Sequence, residues 1–196
     1  MSTKPDFQSL AKHYLSRLND AAMQIPLSQV ERLAMSLRSC LDSKKQVFIF
    51  GNGGSAGNAI HLTNDFIYGI SKQFGQGLRM QALPANQAMI TCLANDVGYE
   101  AIFSYQLSVL AQEGDIVIAL SGSGNSPNII KALEFCRSKK LESYSVLGFD
   151  GGKAKGLCDV PIHIPVDDMQ ISEDLQLVVG HMLMQWLYAQ RETFCS

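Results

Sequence analysis

Apolar residues recur at intervals of three and four through the first 42 residues, a pattern typical of amphipathic helix. Pro26 interrupts this pattern, so the sequence predicts two helices before the first strand. Short apolar runs then alternate with helical stretches, and the chain ends in a long apolar helix. The predicted strands fall within residues 46–50, 79–85, 115–124, 143–152 and 160–166, and the later helices begin near residues 55, 86, 126 and 171.

This alternation of strands and helices is the basis of the fold prediction. It favours an α/β fold, a doubly wound parallel sheet flanked by helices on both faces. Neither a repeat nor a linker divides the chain, so residues 1–196 are expected to form a single domain. Within it, residues 1–44 precede the sheet and residues 45–190 form the α/β core. Ligands of such sheets bind beyond the carboxyl ends of the strands, where two loops rich in glycine and serine are expected.

Composition and charge exclude several classes of function. Hydrophobic residues make up 46% of the 196 residues and charged residues 17%, the balance of a globular protein and not of a disordered one. The net charge of −2 provides no basic field for binding nucleic acid. No apolar run reaches the roughly 20 residues of a membrane helix, and no signal segment is visible, so no membrane partner is expected. Five scattered cysteines without a CxxC pair indicate reduced thiols and a cytoplasmic location.

The first of the two loops, residues 51–58 (GNGGSAGN), follows the first predicted strand. Its spacing matches neither the dinucleotide motif GxGxxG nor the nucleoside triphosphate motif GxxxxGK[ST]. Its glycines permit close approach of a ligand to the backbone, and Ser55 is expected to cap the next helix. A tight turn between strand and helix, with no ligand, accounts for the loop equally well.

The second loop, residues 121–128 (SGSGNSPN), is more informative. The hydroxyls of Ser121, Ser123 and Ser126 lie directly before a predicted helix, whose first turn contains Pro127. The N-terminus of a helix binds phosphate through its free N–H groups and its positive dipole end. Because the loop contains neither lysine nor arginine, its neutral donors suit a sugar phosphate better than a polyphosphate with Mg²⁺. A capped loop without a ligand is the alternative.

Two histidines and two acids are candidates for the chemistry. His61 and Asp65 lie four residues apart and share a helix face, as metal ligands, as an acid/base pair, or as an exposed polar surface. His181 lies in an apolar helix, where a histidine is more often a hydrogen-bonded core residue than a catalyst. Glu173, eight residues earlier, is about 12 Å away along a regular helix. The two could ligate one ion only if the helix started after Glu173 or if a neighbouring subunit completed the site.

Several motifs, in order, carry a resemblance to a known family. The strand, the loop over residues 121–128 and the following helix resemble the phosphate loop of sugar isomerase (SIS) domains. Four further segments resemble the sedoheptulose-7-phosphate isomerases, also called phosphoheptose isomerases: residues 51–61 (GNGGSAGNAIH), 93–100 (LANDVGYE), 149–160 (FDGGKAKGLCDV) and 171–181 (ISEDLQLVVGH). The resemblance spans about residues 45–190. It implies a flavodoxin-like, three-layer SIS domain with N-terminal helices.

The resemblance also implies an activity. Such an isomerase would convert sedoheptulose 7-phosphate into D-glycero-D-manno-heptose 7-phosphate through an enediol, the first step toward ADP- or GDP-heptose and lipopolysaccharide heptose. Asp65 and His181 would be the acid/base pair, and one zinc ion per subunit is expected. The implied zinc ligands are His61, Asp65, Glu173 and His181. The implied substrate contacts are Asn52, Gly53, Gly54, Ser55, Asp65, Asn95, Asp96, Ser121, Gly122, Ser123, Ser126 and Glu173.

Three positions depart from the pattern of that family. Asp65 stands where the family usually has glutamate, Glu173 where it usually has glutamine, and Gly69 where it often has arginine. The shorter acid moves a proton-transfer group by roughly an ångström, a shift that can cost about 100-fold in rate. Two carboxylates and two histidines nevertheless remain a suitable set of zinc ligands.

Other SIS proteins offer alternative functions. A close relative of the isomerases keeps the fold but is a non-catalytic tetramer that binds the replication initiator, and a non-catalytic SIS protein can also sense a phosphosugar. The three departures favour this alternative, whereas Asp65 and His181 oppose it, because the initiator-binding branch lacks both. Isomerases of the arabinose-phosphate type usually carry appended regulatory domains, for which 196 residues leave no room.

The two ends of the chain predict a homo-oligomer. Two amphipathic N-terminal helices exceed what one sheet needs for cover, and a helix that is apolar on nearly all sides has to be buried on nearly all sides. The resemblance implies a homotetramer with active sites at subunit interfaces, in which residues 1–44 form the oligomerisation segment. A dimer is the alternative.

Overall fold

In residues 6–190, which the computed structural model describes, five strands and nine α-helices alternate. The strands are β1 (Gln46–Gly51), β2 (Arg79–Ala82), β3 (Ile116–Ser121), β4 (Glu142–Leu147) and β5 (Val160–His163). The helices are α1 (Phe7–Ala22), α2 (Leu27–Ser43), α3 (Gly53–Asn64), α4 (Ile70–Phe74), α5 (Gln87–Asp96), α6 (Ser104–Leu110), α7 (Pro127–Lys139), α8 (Ala154–Leu157) and α9 (Met169–Ala189). A π-helical segment, Asp65–Gly69, joins α3 to α4, and 3₁₀ turns cover Leu83–Ala85 and Tyr99–Ala101.

The five strands form one parallel sheet in the order β2-β1-β3-β4-β5. The direction of winding reverses between β1 and β3, where Gly51 at the end of β1 pairs with Leu120. Both loops rich in glycine and serine therefore leave the sheet side by side, at the switch point where doubly wound sheets bind ligands. This architecture confirms the predicted α/β fold.

Helices cover both faces of the sheet over two hydrophobic cores. The first core joins α1, α2, α3 and α9 to the sheet, through residues such as Leu62 and Val179. The second joins α5, α6, α7 and α8 to the opposite face, through residues such as Leu133. Successive strand residues supply the two cores in turn, since Ile49 belongs to the first and Phe48 to the second.

Polar contacts fix α1 against the start of α9. Tyr14 donates a hydrogen bond to the Asp174 carboxylate, which raises the pKa of the tyrosine to about 12. Arg17 Nη2 lies 2.7 Å from Asp168 Oδ2. Asp168 is the N-cap of α9, and the hydrogen bond that it accepts from the Ile171 N–H, together with Arg17, lowers the pKa of its carboxyl. These contacts hold the first turns of the helix that carries one of the candidate histidines.

The predicted elements are confirmed, with changes at their ends. The strand within residues 79–85 ends at Ala82, because Pro84 lies in the 3₁₀ turn that follows it. The helix after the first loop begins at Gly53, two residues before the expected start. The single-domain assignment of residues 1–196 stays a prediction, and residues 1–5 and 191–196 lie outside the described residues. No helix within residues 6–190 combines the length and the apolar character needed to cross a membrane.

Candidate active site

Two helices bring a cluster of metal-ligating side chains together. His61 Nε2 lies 3.2 Å from His181 Nε2, although the two residues are 120 positions apart in sequence. Asp65 Oδ2 lies 3.3 Å from His61 Nε2 and 3.4 Å from His181 Nε2. The three atoms form a nearly equilateral triangle. The side chains are 49%, 20% and 42% exposed for His61, Asp65 and His181, so a ligand can reach them from solvent.

The close approach of α3 and α9 produces this cluster. Gly180 packs so tightly against Leu62 that a Cβ on the glycine would collide with the leucine methyl groups. His181 and His61 are the sequence neighbours of these two residues, and their rings meet edge to face with centroids 5.4 Å apart. Asp65 lies one turn after His61, where the π-helical segment begins. π-Turns inside helices are frequent at functional sites.

The spacing of the three atoms suits a metal ion. Zinc binds histidine nitrogen and carboxylate oxygen at about 2.0–2.2 Å, so ligand atoms of a tetrahedral site lie about 3.3–3.6 Å apart. The edges of the triangle, 3.2, 3.3 and 3.4 Å, are close to one face of such a tetrahedron. Two imidazoles and a carboxylate are also a common donor set for catalytic zinc. The residues therefore fit a zinc ion and leave one position for a further ligand.

Glu173, the fourth expected ligand, lies outside this cluster. The alternative that the helix starts after Glu173 is wrong, because α9 is continuous from Met169 to Ala189. Eight residues of regular helix separate Glu173 from His181 by about 12 Å. The Glu173 carboxylate lies instead against Gly54, where a Cβ on the glycine would overlap it. Within one chain, the metal cluster of His61, Asp65 and His181 is therefore spatially separate from the first loop.

A pair of asparagines joins the first loop to the second. Asn52 Nδ2 donates to Asn128 Oδ1 over 2.9 Å, and Asn128 Nδ2 donates back to Asn52 Oδ1 over 2.8 Å. The Tyr99 hydroxyl donates a further hydrogen bond to Asn52 Oδ1. Sequence patterns indicate no role for Asn128 or Tyr99, although Asn128 is the last residue of the SGSGNSPN motif. The pair bridges β1 and α7 at the switch point of the sheet.

The sequence predicts Ser55 as the cap of α3, but Ser55 does not cap this helix. Asn52 occupies the N-cap position, and Ser55 is buried one turn further on, where its hydroxyl accepts a hydrogen bond from Gln176 Nε2. The capping prediction is wrong because the positive φ of Gly53, 55°, allows the helix to begin directly after Asn52. The Ser55 hydroxyl keeps its own proton for donation to a ligand.

The second loop places its serine hydroxyls at the N-terminus of α7. Ser121 Oγ accepts a hydrogen bond from the Gly124 N–H over 3.1 Å, and Ser123 Oγ accepts one from the Asn125 N–H over 3.3 Å. Ser126 is the N-cap of α7, but its side chain makes no capping hydrogen bond. A hydroxyl that accepts a hydrogen bond still donates its proton, so the loop can present three O–H donors to an anion.

A third loop, after β4, supports the second. The Gly148 N–H donates to the Gly122 carbonyl over 2.9 Å, and the Ala154 N–H donates to the Gly124 carbonyl over 3.0 Å. Gly124 has a positive φ of 64° and no room for a Cβ beside this loop. Residues 148–156 therefore support the conformation of the serine loop.

Comparison with known proteins identifies relatives of this chain. Residues 11–148 match the family model of the SIS domain. The phosphoheptose isomerase of Fusobacterium nucleatum is 37% identical to this chain over 161 residues, which are 80% of this chain and 80% of that protein. The phosphoheptose isomerase of Trichlorobacter lovleyi is 39% identical over 156 residues, 79% of this chain and 78% of that protein. The chain belongs to the phosphoheptose isomerase family.

Solved structures agree with this assignment at the level of the fold. The phosphoheptose isomerase of Neisseria gonorrhoeae superposes with a TM-score of 0.84 at 24% identity, over 93% of this chain and 98% of that chain. The SIS domain and the phosphoheptose isomerase family that the motifs predict are both confirmed.

Two predicted substrate contacts, Asn95 and Asp96, lie at the exposed end of α5. Asn95 Nδ2 donates to Asp96 Oδ1 over 2.7 Å, and Cys92 Sγ lies 3.5 Å from Asp96 Oδ2. That carboxylate raises the pKa of the Cys92 thiol. Tyr99, in the turn after α5, links this segment to Asn52. The contacts described for Asn95 and Asp96 are local, so their role toward a substrate stays a prediction.

Proposed function

We propose that this chain is a metal-dependent aldose–ketose isomerase that converts sedoheptulose 7-phosphate into D-glycero-D-manno-heptose 7-phosphate. The observation that carries the proposal is the convergence of His61, Asp65 and His181 in a member of the phosphoheptose isomerase family. Two histidines with a purely structural role do not need one carboxylate oxygen within 3.4 Å of both rings. The arrangement combines metal ligands with groups that transfer protons.

The reaction moves a proton from C1 of the ketose to C2 through an enediol. A base removes the C1 proton while an acid protonates the carbonyl oxygen at C2. The O1 hydroxyl then loses its proton as C2 gains one, so no proton is gained or lost overall. Asp65 and His181 are the proposed pair, 3.4 Å apart. Asp65 directs Oδ2 at both histidines, whereas Oδ1 lies 3.4 Å from Asn64 Nδ2, so the two oxygens can serve different roles.

Zinc, one ion per subunit, is the proposed metal. His61, Asp65 and His181 would hold it, and when bound it would stabilise negative charge on the sugar oxygens. Glu173 is too far along α9 to join these residues from the same chain. A neighbouring subunit is therefore the proposed source of Glu173 as the fourth protein ligand.

The phosphate group is proposed to bind the serine loop and the N-terminus of α7. Ser121, Ser123 and Ser126 supply hydroxyl donors there, and the buried Ser55 lies on the neighbouring loop. These neutral donors suit one phosphate group without a cation, as the sequence predicts. The proposed contacts to the sugar are Asn52, Gly53, Gly54, Asp65, Asn95, Asp96, Gly122 and Glu173.

The proposed assembly is a homotetramer with shared sites. The metal cluster lies about 12 Å along α9 from the point where Glu173 meets the first loop. Within a single chain, the groups that one sugar has to contact are therefore too far apart. α1 also exposes large apolar side chains, with Phe7 83%, Leu10 51% and Leu15 63% exposed. Large apolar side chains that one chain leaves exposed are available for packing against another subunit. Residues 1–44 would provide much of the interface, and a dimer is the alternative under closed symmetry.

Incubation of the purified protein with sedoheptulose 7-phosphate tests the proposed activity. We expect aldose formation that a chelator abolishes and added zinc restores. The matched variant Asp65→Asn keeps the shape of the side chain but removes the base, and we expect kcat to fall by at least about 100-fold. A zinc-loaded, assembled protein that binds phosphosugar without any turnover would instead support the non-catalytic alternative, a sensor or a partner of the replication initiator.

A cytoplasmic location and a role at the start of ADP- or GDP-heptose synthesis for lipopolysaccharide complete the proposal. The four cysteines within residues 6–190 are free, and Cys92 is exposed. Free exposed thiols suit a reducing compartment.

A further inference from the structure

A cavity of about 550 Å³ opens beside the metal cluster. It lies between the π-helical segment with α4 on one side and the last turns of α9 on the other. The residues that line it are Asn64, Asp65, Tyr68, Gly69, Lys72, Met184, Gln185 and Tyr188. Asp65 belongs to both the cavity and the cluster. A molecule in the cavity therefore reaches the carboxylate that contacts both histidines.

The cavity wall formed by the π-helical segment and α4 provides an acidic residue, a glycine without a side chain and a basic residue. Asp65, Gly69 and Lys72 all line the cavity in that order along the chain. Gly69 has a helical φ of −57°, so the backbone does not require glycine there. A Cβ at this position would touch Met184 Sδ at 3.4 Å, and any longer side chain would extend into the cavity. The missing side chain therefore keeps the space between Asp65 and Lys72 open.

Lys72 is placed to use this space. Its side chain is exposed, and no carboxylate within residues 6–190 lies within 4.0 Å of its ammonium group. Side chains on a helix lean toward its N-terminus, which directs the stem of Lys72 back toward the turn of Asp65. The other polar groups that line the cavity include the neutral side chains of Asn64, Tyr68 and Gln185. Neutral donors and acceptors with one cation suit an oxygen-rich ligand that carries negative charge.

We infer that Lys72 is a substrate-binding residue and that it contacts the oxygens at the C1–C2 end of the phosphosugar. The inference rests on the proposed isomerase function, because only then does the reacting end of a sugar lie at Asp65. Negative charge develops on these oxygens in the transition state and is absent from the free ketose. Removal of Lys72 should therefore lower kcat more than it raises KM.

Two ligands that differ in charge at this end test the inference. 6-Phosphogluconate carries a carboxylate where glucitol 6-phosphate carries a neutral hydroxyl, and both carry the same phosphate. Their Kd values are to be measured by calorimetry on the zinc-loaded wild type, Lys72→Met, Lys72→Arg and the control Lys139→Met. Lys139 is an exposed lysine at the end of α7, on the opposite face of the sheet. Zinc content is measured for each variant, and equal values show that the metal cluster is intact.

We expect Lys72→Met to raise the Kd of 6-phosphogluconate about tenfold to a hundredfold and to change the Kd of glucitol 6-phosphate by less than about twofold. Lys72→Arg should recover part of the loss, and Lys139→Met should match the wild type. Lys72→Met could change the Kd values of both ligands equally, or change neither, and either result would overturn the inference. The proposed function would still be upheld if the wild type turned over the heptulose. A wild type that neither binds these phosphosugars nor turns over the heptulose would overturn both.

Discussion

At the scale of single residues, the metal cluster depends on neighbours that have no chemistry of their own. Gly180 and Leu62 let two helices touch, and the histidines next to them in sequence meet as a result. Asp65 completes the triangle because it lies four residues after His61. His61 is therefore the residue whose loss should remove the metal site with little effect on packing, since its side chain is about half exposed.

We predict that His61→Ala abolishes binding of the zinc ion. His61 is one of the four proposed ligands, and its loss leaves only two ligand atoms in the cluster of one chain. His13→Ala, which removes an exposed histidine of α1, is the matched control and should keep the full zinc content. Metal analysis after dialysis measures both. Equal zinc in His61→Ala and in the wild type would show that the ligand assignment is wrong.

Some residue roles could be predicted from the sequence and others could not. The spacing of His61 and Asp65 placed them on one face, whereas only the family resemblance, and no spacing, indicated that His181 would join them from 120 residues away. Ser55 failed as a cap because glycine at position 53 allowed an earlier helix start. Pairing between Asn52 and Asn128 depends on the order of strands in the sheet, which local patterns do not contain.

At the scale of elements, the contact between α3 and α9 brings the proposed metal ligands His61, Asp65 and His181 together. Gly180 is tightly packed in this contact, whereas Gly57 of α3 is exposed and a Cβ there would meet no atom within 4 Å. Because both glycines lie within helices, replacing either one by alanine tests whether there is room for a Cβ and does not test backbone conformation. Periodicity predicted both helices, whereas their contact requires a buried glycine whose role is visible only once the two helices are packed.

We predict that Gly180→Ala destabilises the protein by about 1–3 kcal/mol and weakens zinc binding, because Leu62 is buried and cannot move away without cost. Gly57→Ala should leave zinc affinity unchanged and hold or raise Tm, since alanine is the better helix former. Thermal unfolding and zinc titration of the two variants measure these effects. Normal zinc affinity in Gly180→Ala would show that the helix contact does not position the cluster.

The serine loop gives a second prediction at this scale. We expect Ser121→Ala combined with Ser123→Ala to weaken binding of phosphorylated sugars and to leave the fold intact. Each hydrogen bond to a charged group contributes about 1.5–3 kcal/mol, so Kd should rise at least about tenfold. Ser138→Ala, on the exposed part of α7, is the control. An unchanged Kd in the double variant would remove this loop from the phosphate site.

At the scale of the whole molecule, the separation of functional groups along α9 limits which of them one chain can bring to the same substrate. The metal cluster lies on one helical layer, whereas the serine loop lies at the carboxyl edge of the sheet. Asp65 and His181 meet within one chain, so mixing Asp65→Asn chains with His181→Ala chains should restore no activity. The predicted sharing between subunits concerns the cluster and the loops, and not these two residues.

We predict that, at substrate concentrations well below the Kd of the serine variant, Asp65→Asn chains mixed with chains that carry both Ser121→Ala and Ser123→Ala give more activity than the two variants give separately. In a mixed assembly, some sites would combine an intact metal cluster from one chain with an intact serine loop from another. The variants are unfolded and refolded together, activity is assayed, and light scattering measures the oligomeric state. A fully active monomer, or mixed tetramers without any recovered activity, would contradict the shared site.

The unbroken length of α9 has a consequence for how the protein behaves on dilution. A site completed by a neighbour follows mass action, because only associated chains can hold the whole substrate. Specific activity should then fall as the concentration drops below the dissociation constant of the assembly. If substrate binds the proposed shared site, its addition should favour the associated form. In the proposed assembly, the continuous helix α9 would therefore make the rate per chain depend on the concentration of the protein.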